Sequence, residues 1–213
     1  MSQELNLNEN QAREEIVKWA KEIYERGLVN GSGGNISIRI SEDIILTTPS
    51  GWSLGHLSPE SISKVNMNGE ALEGPKPTKE LPMHLAVYKV RADVRAIVHT
   101  HSIYAVTYAS TVKAGSFMPL YTPSIIAKVG MVKILPFCLP GSQELGSVVA
   151  ERIKEHEAVL LENHGVMTVG KNLETAVIAA FEVEDNAKVY FLSEGKARPI
   201  PESLFSIVRG KYK

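Results

Sequence analysis

Two histidines, His99 and His101, flank Thr100 where the apolar run Val94-Arg-Ala-Ile-Val98 ends. Side chains alternate across a strand, so both imidazoles project to one face, about 6.5–7 Å apart at the backbone. They can then converge on one metal ion at bonds of about 2.0–2.1 Å. Two hydrogen-bonded strand-end histidines would leave the same tripeptide. His164 follows a second apolar run, Ala158–Glu162, and precedes Gly165, where a loop can turn a ligand inward. Three histidines leave an open coordination position, as in a catalytic rather than a closed structural zinc.

A carboxylate near such an ion would serve as fourth ligand, proton acceptor, or both in turn. Glu80 is the candidate, held after the prolines Pro75 and Pro77 at the start of a helix. A glutamate in a first helical turn is also favoured by the helix dipole alone. His84, one turn later, is placed to support the site from behind. His56 and His156 read as surface residues, and Cys138, in an apolar stretch, as buried filler rather than nucleophile. Three small-residue turns, Gly33-Gly34-Asn35, Ser50-Gly51 and Thr78-Lys79, offer backbone N–H groups and short polar side chains that can cradle an anion such as phosphate. Lys79 adds a full charge. The glycine-rich stretch opens a strand rather than a helix, unlike a nucleotide-binding fingerprint.

These groups need a scaffold that brings distant segments together. The sequence predicts a helix over 9–27, strands over 36–40 and 43–48, a short proline-started helix at Ser58-Pro59-Glu60, and a small hairpin over 65–72 turning at Asn68-Gly69. Leu81–Val90 reads as helix, Val94–His99 as a buried strand, Tyr104–Ser110 and Ile125–Val129 as helices, and Val132–Phe137 as a strand. Gln143–His156 is amphipathic, Ala158–Glu162 a short strand, and Leu173–Ser193 a long helix. Strands and helices interleave without a low-complexity linker or repeat, which predicts one α/β domain over 1–213 with its core about 10–195. At 213 residues and 44% hydrophobic, the chain can bury a sizeable core. A net charge of −1 gives no electrostatic reason to expect nucleic acid or a membrane surface. There is no apolar run of about 18 residues, and the polar, acidic first residues are unlike a secretory or mitochondrial leader. One cysteine excludes an intrachain disulfide framework and fits a reducing cytoplasm.

The motifs GSGGNIS, TTPSG, KPTKE, HTHS and ENHGV, in this order and spacing, resemble the class II aldolase/adducin superfamily, typified by fuculose-1-phosphate aldolase, over about residues 10–195. The resemblance implies a central, mainly antiparallel sheet flanked by helices, assembled as a homotetramer with sites between subunits. It implies that His99, His101 and His164 bind Zn²⁺, one ion per subunit, and that Glu80 is the acid/base that also ligates zinc when no substrate is bound. It places Gly34, Asn35, Ser50, Gly51 and Thr78 in a phosphate pocket. In the aldolases a tyrosine from a neighbouring subunit handles the proton on the aldehyde oxygen, and Tyr121 lies near the expected place.

Two details narrow the branch. The epimerases carry aspartate where Glu80 stands, and the fucose enzyme has a small hydroxyl residue where Lys79 stands. KPTKE followed by MHLAVYK, with SGWSLGHLSPESISKV and YTPSIIAKVG, looks most like the 3-oxo-tetronate 4-phosphate decarboxylases. This implies release of CO₂ from a phosphorylated keto acid through a zinc-stabilised enediolate, leaving dihydroxyacetone phosphate. The alternative is aldol cleavage of a phosphorylated ketose such as fuculose 1-phosphate. An aldehyde leaving group needs a base such as tyrosine, whereas CO₂ needs none, and the substrate carboxylate needs a cation, for which Lys79 is available. Two further classes are weaker. An interaction module without catalysis has no use for three intact histidines, and the HxHxDH hydrolase signature stops matching at Ser102-Ile103-Tyr104.

Overall fold

A computed structural model describes residues 8–212; the expectation about a leader therefore falls largely outside it. The eight strands form one sheet in the order β4-β3-β2-β1-β5-β8-β7-β6. Seven of them come from Asn35–Arg39 (β1), Ile44–Thr47 (β2), Ser63–Asn66 (β3), Ala71–Glu73 (β4), Ala96–Thr100 (β5), Lys133–Leu135 (β6) and Ala158–Leu161 (β7). The eighth, Gly165–Gly170 (β8), was not expected from sequence. It is short and bounded by glycines, and it becomes a strand by pairing with β5 and β7. Only β6 and β7 run parallel, so the sheet is mainly antiparallel, as the resemblance implied.

Helices cover both faces. Glu9–Glu25 (α1), Ile103–Thr111 (α3), Pro123–Lys128 (α4) and Leu173–Leu192 (α6) lie on one side, and Leu81–Val90 (α2) and Gln143–Ile153 (α5) on the other. The division follows strand alternation. In β5, Ala96 and Val98 join the α1/α6 core while Ile97 joins the α2/α5 core. A last helix, Phe205–Tyr212 (α7), also lies beyond what the sequence predicted; Arg209 anchors it by donating to the carbonyls of Ile126 and Val129. The predicted hairpin turns at Gly69, whose φ of +86° suits glycine. No helix among the described residues is long and apolar enough to cross a membrane.

β1 and α2 position the site. All five residues of β1 are buried. Ile36 and Ile38 face the α1/α6 core, which puts Asn35, Ser37 and Arg39 on the α2 side. Arg39 donates to the carbonyls of Tyr88, Arg91, Ala92 and Val94, which satisfies the end of α2 and its exit turn. Cys138 is buried, as expected. His56 is exposed beside Tyr24, as expected, whereas His156, also expected at the surface, is half-buried against Phe117.

Candidate active site

His99 is the fourth residue of β5 and pairs in register with Asn35 of β1. Its Nδ1–H donates to the Val166 carbonyl of β8 at 2.8 Å, which fixes the ring and leaves Nε2 directed into the site. His101 lies just past the strand on the same face, its Nε2 3.0 Å from that of His99. His164 arrives by a different route from the one its glycine suggested. Asn163, not Gly165, takes the left-handed conformation, with φ +54°. Gly165 is required for space: a Cβ there would sit 2.4 Å from the Thr100 carbonyl oxygen and 2.8 Å from His99 Cε1. Gly34 also leaves room, since a Cβ would lie 2.8 Å from the His99 carbonyl oxygen.

Glu80 is the residue before α2, yet its side chain makes no capping bond. It turns instead to the histidines, with Oε2 3.1 Å from His99 Nε2 and Oε1 3.2 Å from His164 Nε2. The structure thus decides against a purely helix-stabilising role. One donor atom from each of Glu80, His99, His101 and His164 lies within 4.8 Å of the others. A tetrahedral ion with bonds of about 2.0–2.2 Å sets its ligands about 3.3 Å apart, close to the three short separations seen here. Oε1 of Glu80, although buried, has no hydrogen-bond partner, and neither does Nδ1 of His164. Three ring nitrogens and a carboxylate turned toward one another require positive charge between them, and the donor set fits a divalent ion.

The electrostatics carry the same sign. Burial pushes Glu80 up, but the facing rings of His99 and His164 outweigh it and hold the carboxyl well below its usual range. Burial lowers His99, and Glu80 more than offsets it, so this ring is raised. Burial, reinforced by His99 and His164, pushes His101 down to about 4. A cation in the cluster would supply the positive charge that the carboxylate otherwise draws from the facing rings, and it needs those ring nitrogens unprotonated.

Beside the cluster is a recess of about 310 Å³ lined by Gly34, Asn35, Ser50, Gly51, Thr78, Lys79, Glu80, His101 and His164. The turns that supply them are tied together: Ser50 N–H donates to the Lys76 carbonyl and Thr78 N–H to that of Thr48. Every predicted site residue except two lines this recess. His99 is wholly buried behind it. Tyr121 is elsewhere, its N–H donating to Asn186 Oδ1 and its hydroxyl raised by burial and then by the neighbouring Tyr190. Ser32, Pro49 and Pro140 also line the recess and were missed, although Pro140-Gly141 carries a turn signal. A larger recess, about 610 Å³, lies toward the opposite end of β8, but its Arg91 and Lys128 are already paired with Asp93 and Glu182.

Residues 14–191 match the family described as Class II Aldolase and Adducin N-terminal domain. The chain belongs to this family. As a class II aldolase-type chain, it is 37% identical over 187 residues to a 3-oxo-tetronate 4-phosphate decarboxylase of Pectobacterium atrosepticum, covering 87% of this chain and 86% of that one. It is 36% identical over 204 residues to a 5-deoxy-D-ribulose 1-phosphate aldolase of Bacillus thuringiensis, covering 94% of each. Its fold matches the crystal structure of YgbL from Escherichia coli with a TM-score of 0.90 and 31% identity, over 94% of this chain and 99% of that one. An L-fuculose 1-phosphate aldolase matches with a TM-score of 0.85 and 30% identity, over 95% and 96%. The family and fold expected from the motifs are therefore borne out.

Proposed function

We propose that this chain is a zinc-dependent carbon–carbon lyase that decarboxylates a 3-oxo-tetronate 4-phosphate to dihydroxyacetone phosphate and CO₂. The observation that carries this reading is the convergence of Glu80, His99, His101 and His164 on a polar recess that Lys79 also lines. His99, His101 and His164, with Glu80, would hold the ion, which when bound supplies Lewis-acid stabilisation of the oxyanion that develops on the substrate ketone.

The chain's own residues do the rest. Backbone and side-chain donors of Gly34, Asn35, Ser50, Gly51 and Thr78 bind the phosphate, and Lys79 pairs with the substrate carboxylate. As the bond from C1 to C2 breaks, CO₂ leaves and its electron pair passes toward the C3 ketone, giving an enediolate. Glu80, having taken a proton from solvent, delivers it to C2. No group in this scheme has to remove a proton from a leaving aldehyde.

Aldol cleavage is the second reading, supported by the aldolase among the relatives. It would draw the missing base from Tyr121 of a neighbouring copy, within a cytoplasmic homotetramer. The test is to supply a 3-oxo-tetronate 4-phosphate and, separately, fuculose 1-phosphate and 5-deoxyribulose 1-phosphate, while measuring dihydroxyacetone phosphate and CO₂ in parallel. Equal release of both products from the keto acid is expected. Dihydroxyacetone phosphate from a ketose phosphate, without CO₂, would transfer the assignment to the aldolase. Sizing in solution tests the tetramer.

A further inference from the structure

A row of buried polar groups runs from Glu80 away from the recess, and the proposed function uses only its first members. Asn35 Nδ2 donates to Glu80 Oε2 at 2.9 Å, and Asn35 Oδ1 lies 2.6 Å from His84 Nε2. His84 Nδ1 is 2.7 Å from Ser37 Oγ, which is 2.9 Å from the Tyr88 hydroxyl. Glu80, Asn35, His84, Ser37 and Tyr88 are all buried. The row exists because two periods nearly match. Steps of four along a helix advance about 6 Å and steps of two along a strand about 6.6–6.8 Å, so Glu80, His84 and Tyr88 interleave with Asn35 and Ser37.

The directions of these hydrogen bonds are forced. An ionised carboxylate only accepts, so the Asn35 amide must turn Nδ2 to Glu80 and Oδ1 to His84. His84 Nε2 must then carry a hydrogen. The ring is wholly buried and its two nitrogens face only the uncharged Asn35 amide and Ser37 hydroxyl, so it is neutral and its Nδ1 is bare. Ser37 must therefore donate to Nδ1, and its oxygen is left to accept from Tyr88. From Ser37 onward every donor in the row points toward Glu80, while the single Tyr88 hydroxyl hydrogen is shared between Ser37 Oγ and the Ser37 carbonyl, 3.1 Å away.

We infer that Ser37, His84 and Tyr88 form a relay that locks Asn35 onto Oε2 of Glu80 and so fixes the orientation of the carboxylate toward the histidines. His84 is thus a positioning residue acting through Asn35. The effect on kcat rests on the lyase reading, whereas the placement of the carboxylate does not.

The test compares His84→Leu, which removes the donor, with His84→Gln, which can present an N–H near the Nε2 position. kcat is measured, Zn²⁺ affinity by calorimetry, and thermal unfolding on metal-free protein. His84→Leu should lower kcat and Zn²⁺ affinity by about 10–100-fold without a matching fall in the unfolding temperature, and His84→Gln should recover most of both. Ser37→Ala, which removes only the donor to Nδ1, should cost about 2–10-fold; it decides the matter if His84→Leu does not fold. Wild-type values in His84→Leu, equal damage in His84→Gln, an unaffected Ser37→Ala, or losses that track unfolding temperature would each overturn the relay. If the wild type turns over neither substrate class, the lyase reading fails while Zn²⁺ affinity still judges the relay.

Discussion

Replacing Gly165 by alanine should injure the proposed metal site while leaving untouched the four residues that would hold the ion. The new Cβ would stand 2.4 Å from the Thr100 carbonyl oxygen, 2.8 Å from His99 Cε1 and 3.2 Å from His101 Cδ2. Non-bonded heavy atoms settle at about 3.5–4.0 Å, so β8 and the end of β5 must part by about 1 Å. The first obstacle is backbone and cannot rotate away. Overpacking of this kind costs about 1–3 kcal/mol, and displacement of the ligands should weaken the ion by about 10–100-fold. At fixed excess of ion, that loss reduces metal-linked stabilisation by about 1.4–2.7 kcal/mol. For a chain of this size, the gain in unfolding temperature on adding Zn²⁺ should therefore shrink by about 3–11 °C. The assay is thermal unfolding with and without Zn²⁺, together with calorimetric titration. Gly27→Ala is the control: its φ is +73° but nothing lies within 4 Å of the added carbon, so it should cost about 1–2 kcal/mol with no change in Zn²⁺ affinity. Wild-type Zn²⁺ binding by Gly165→Ala would refute the steric reasoning.

Glu80→Gln keeps the shape of the carboxylate but not its proton chemistry; it should retain bound Zn²⁺ and lose about 10²–10⁴ in kcat, whereas His99→Ala should lose both, as elemental analysis and turnover would show. Folding holds His84 neutral, with its ring pushed to about 3 by burial and then by His99. Its contribution is therefore complete above the unfolded value of about 6.5 and declines as pH falls toward 3. Between pH 7 and 5 that is about 2 kcal/mol, so the drop in urea midpoint over that range should be smaller by that amount in His84→Leu, the rest coming from His101, which burial also pushes down. Arg39→Ala strips four carbonyls of their donor and should destabilise by about 3–5 kcal/mol, measured by denaturant unfolding.

Much of the site was legible from the chain because its signals are local. His99 and His101 are two residues apart, so strand alternation alone puts them on one face. Leu81–Val90 has the predicted helical bounds, set by the exit from Pro75 and Pro77 and by the run of apolar residues. β8 was missed because a six-residue segment bounded by glycines becomes a strand only through its neighbours. The roles of Ser37 and Tyr88 were missed for a related reason. In Asn35-Ile-Ser-Ile-Arg39 the polar positions alternate with isoleucine, a pattern that ordinarily marks a solvent-facing side, yet α2 covers them all. Polar groups tolerate that burial only when hydrogen-bonded, and their partners, His84 and Tyr88, lie 47 and 51 residues away from Ser37.

The sequence by itself determined the chemistry available: three histidines at strand ends, one glutamate at a helix start, and small-residue turns in a family-specific order. Tertiary structure decided how those groups are used. It turned Glu80 from its helix toward the histidines, made Asn163 rather than Gly165 the turning residue, and left Tyr121 outside this chain's own recess. The reason is physical. Residue type and spacing fix which atoms can donate, accept or ligate, whereas the approach of β8 to β5 and of α2 to β1 fixes which of those atoms meet.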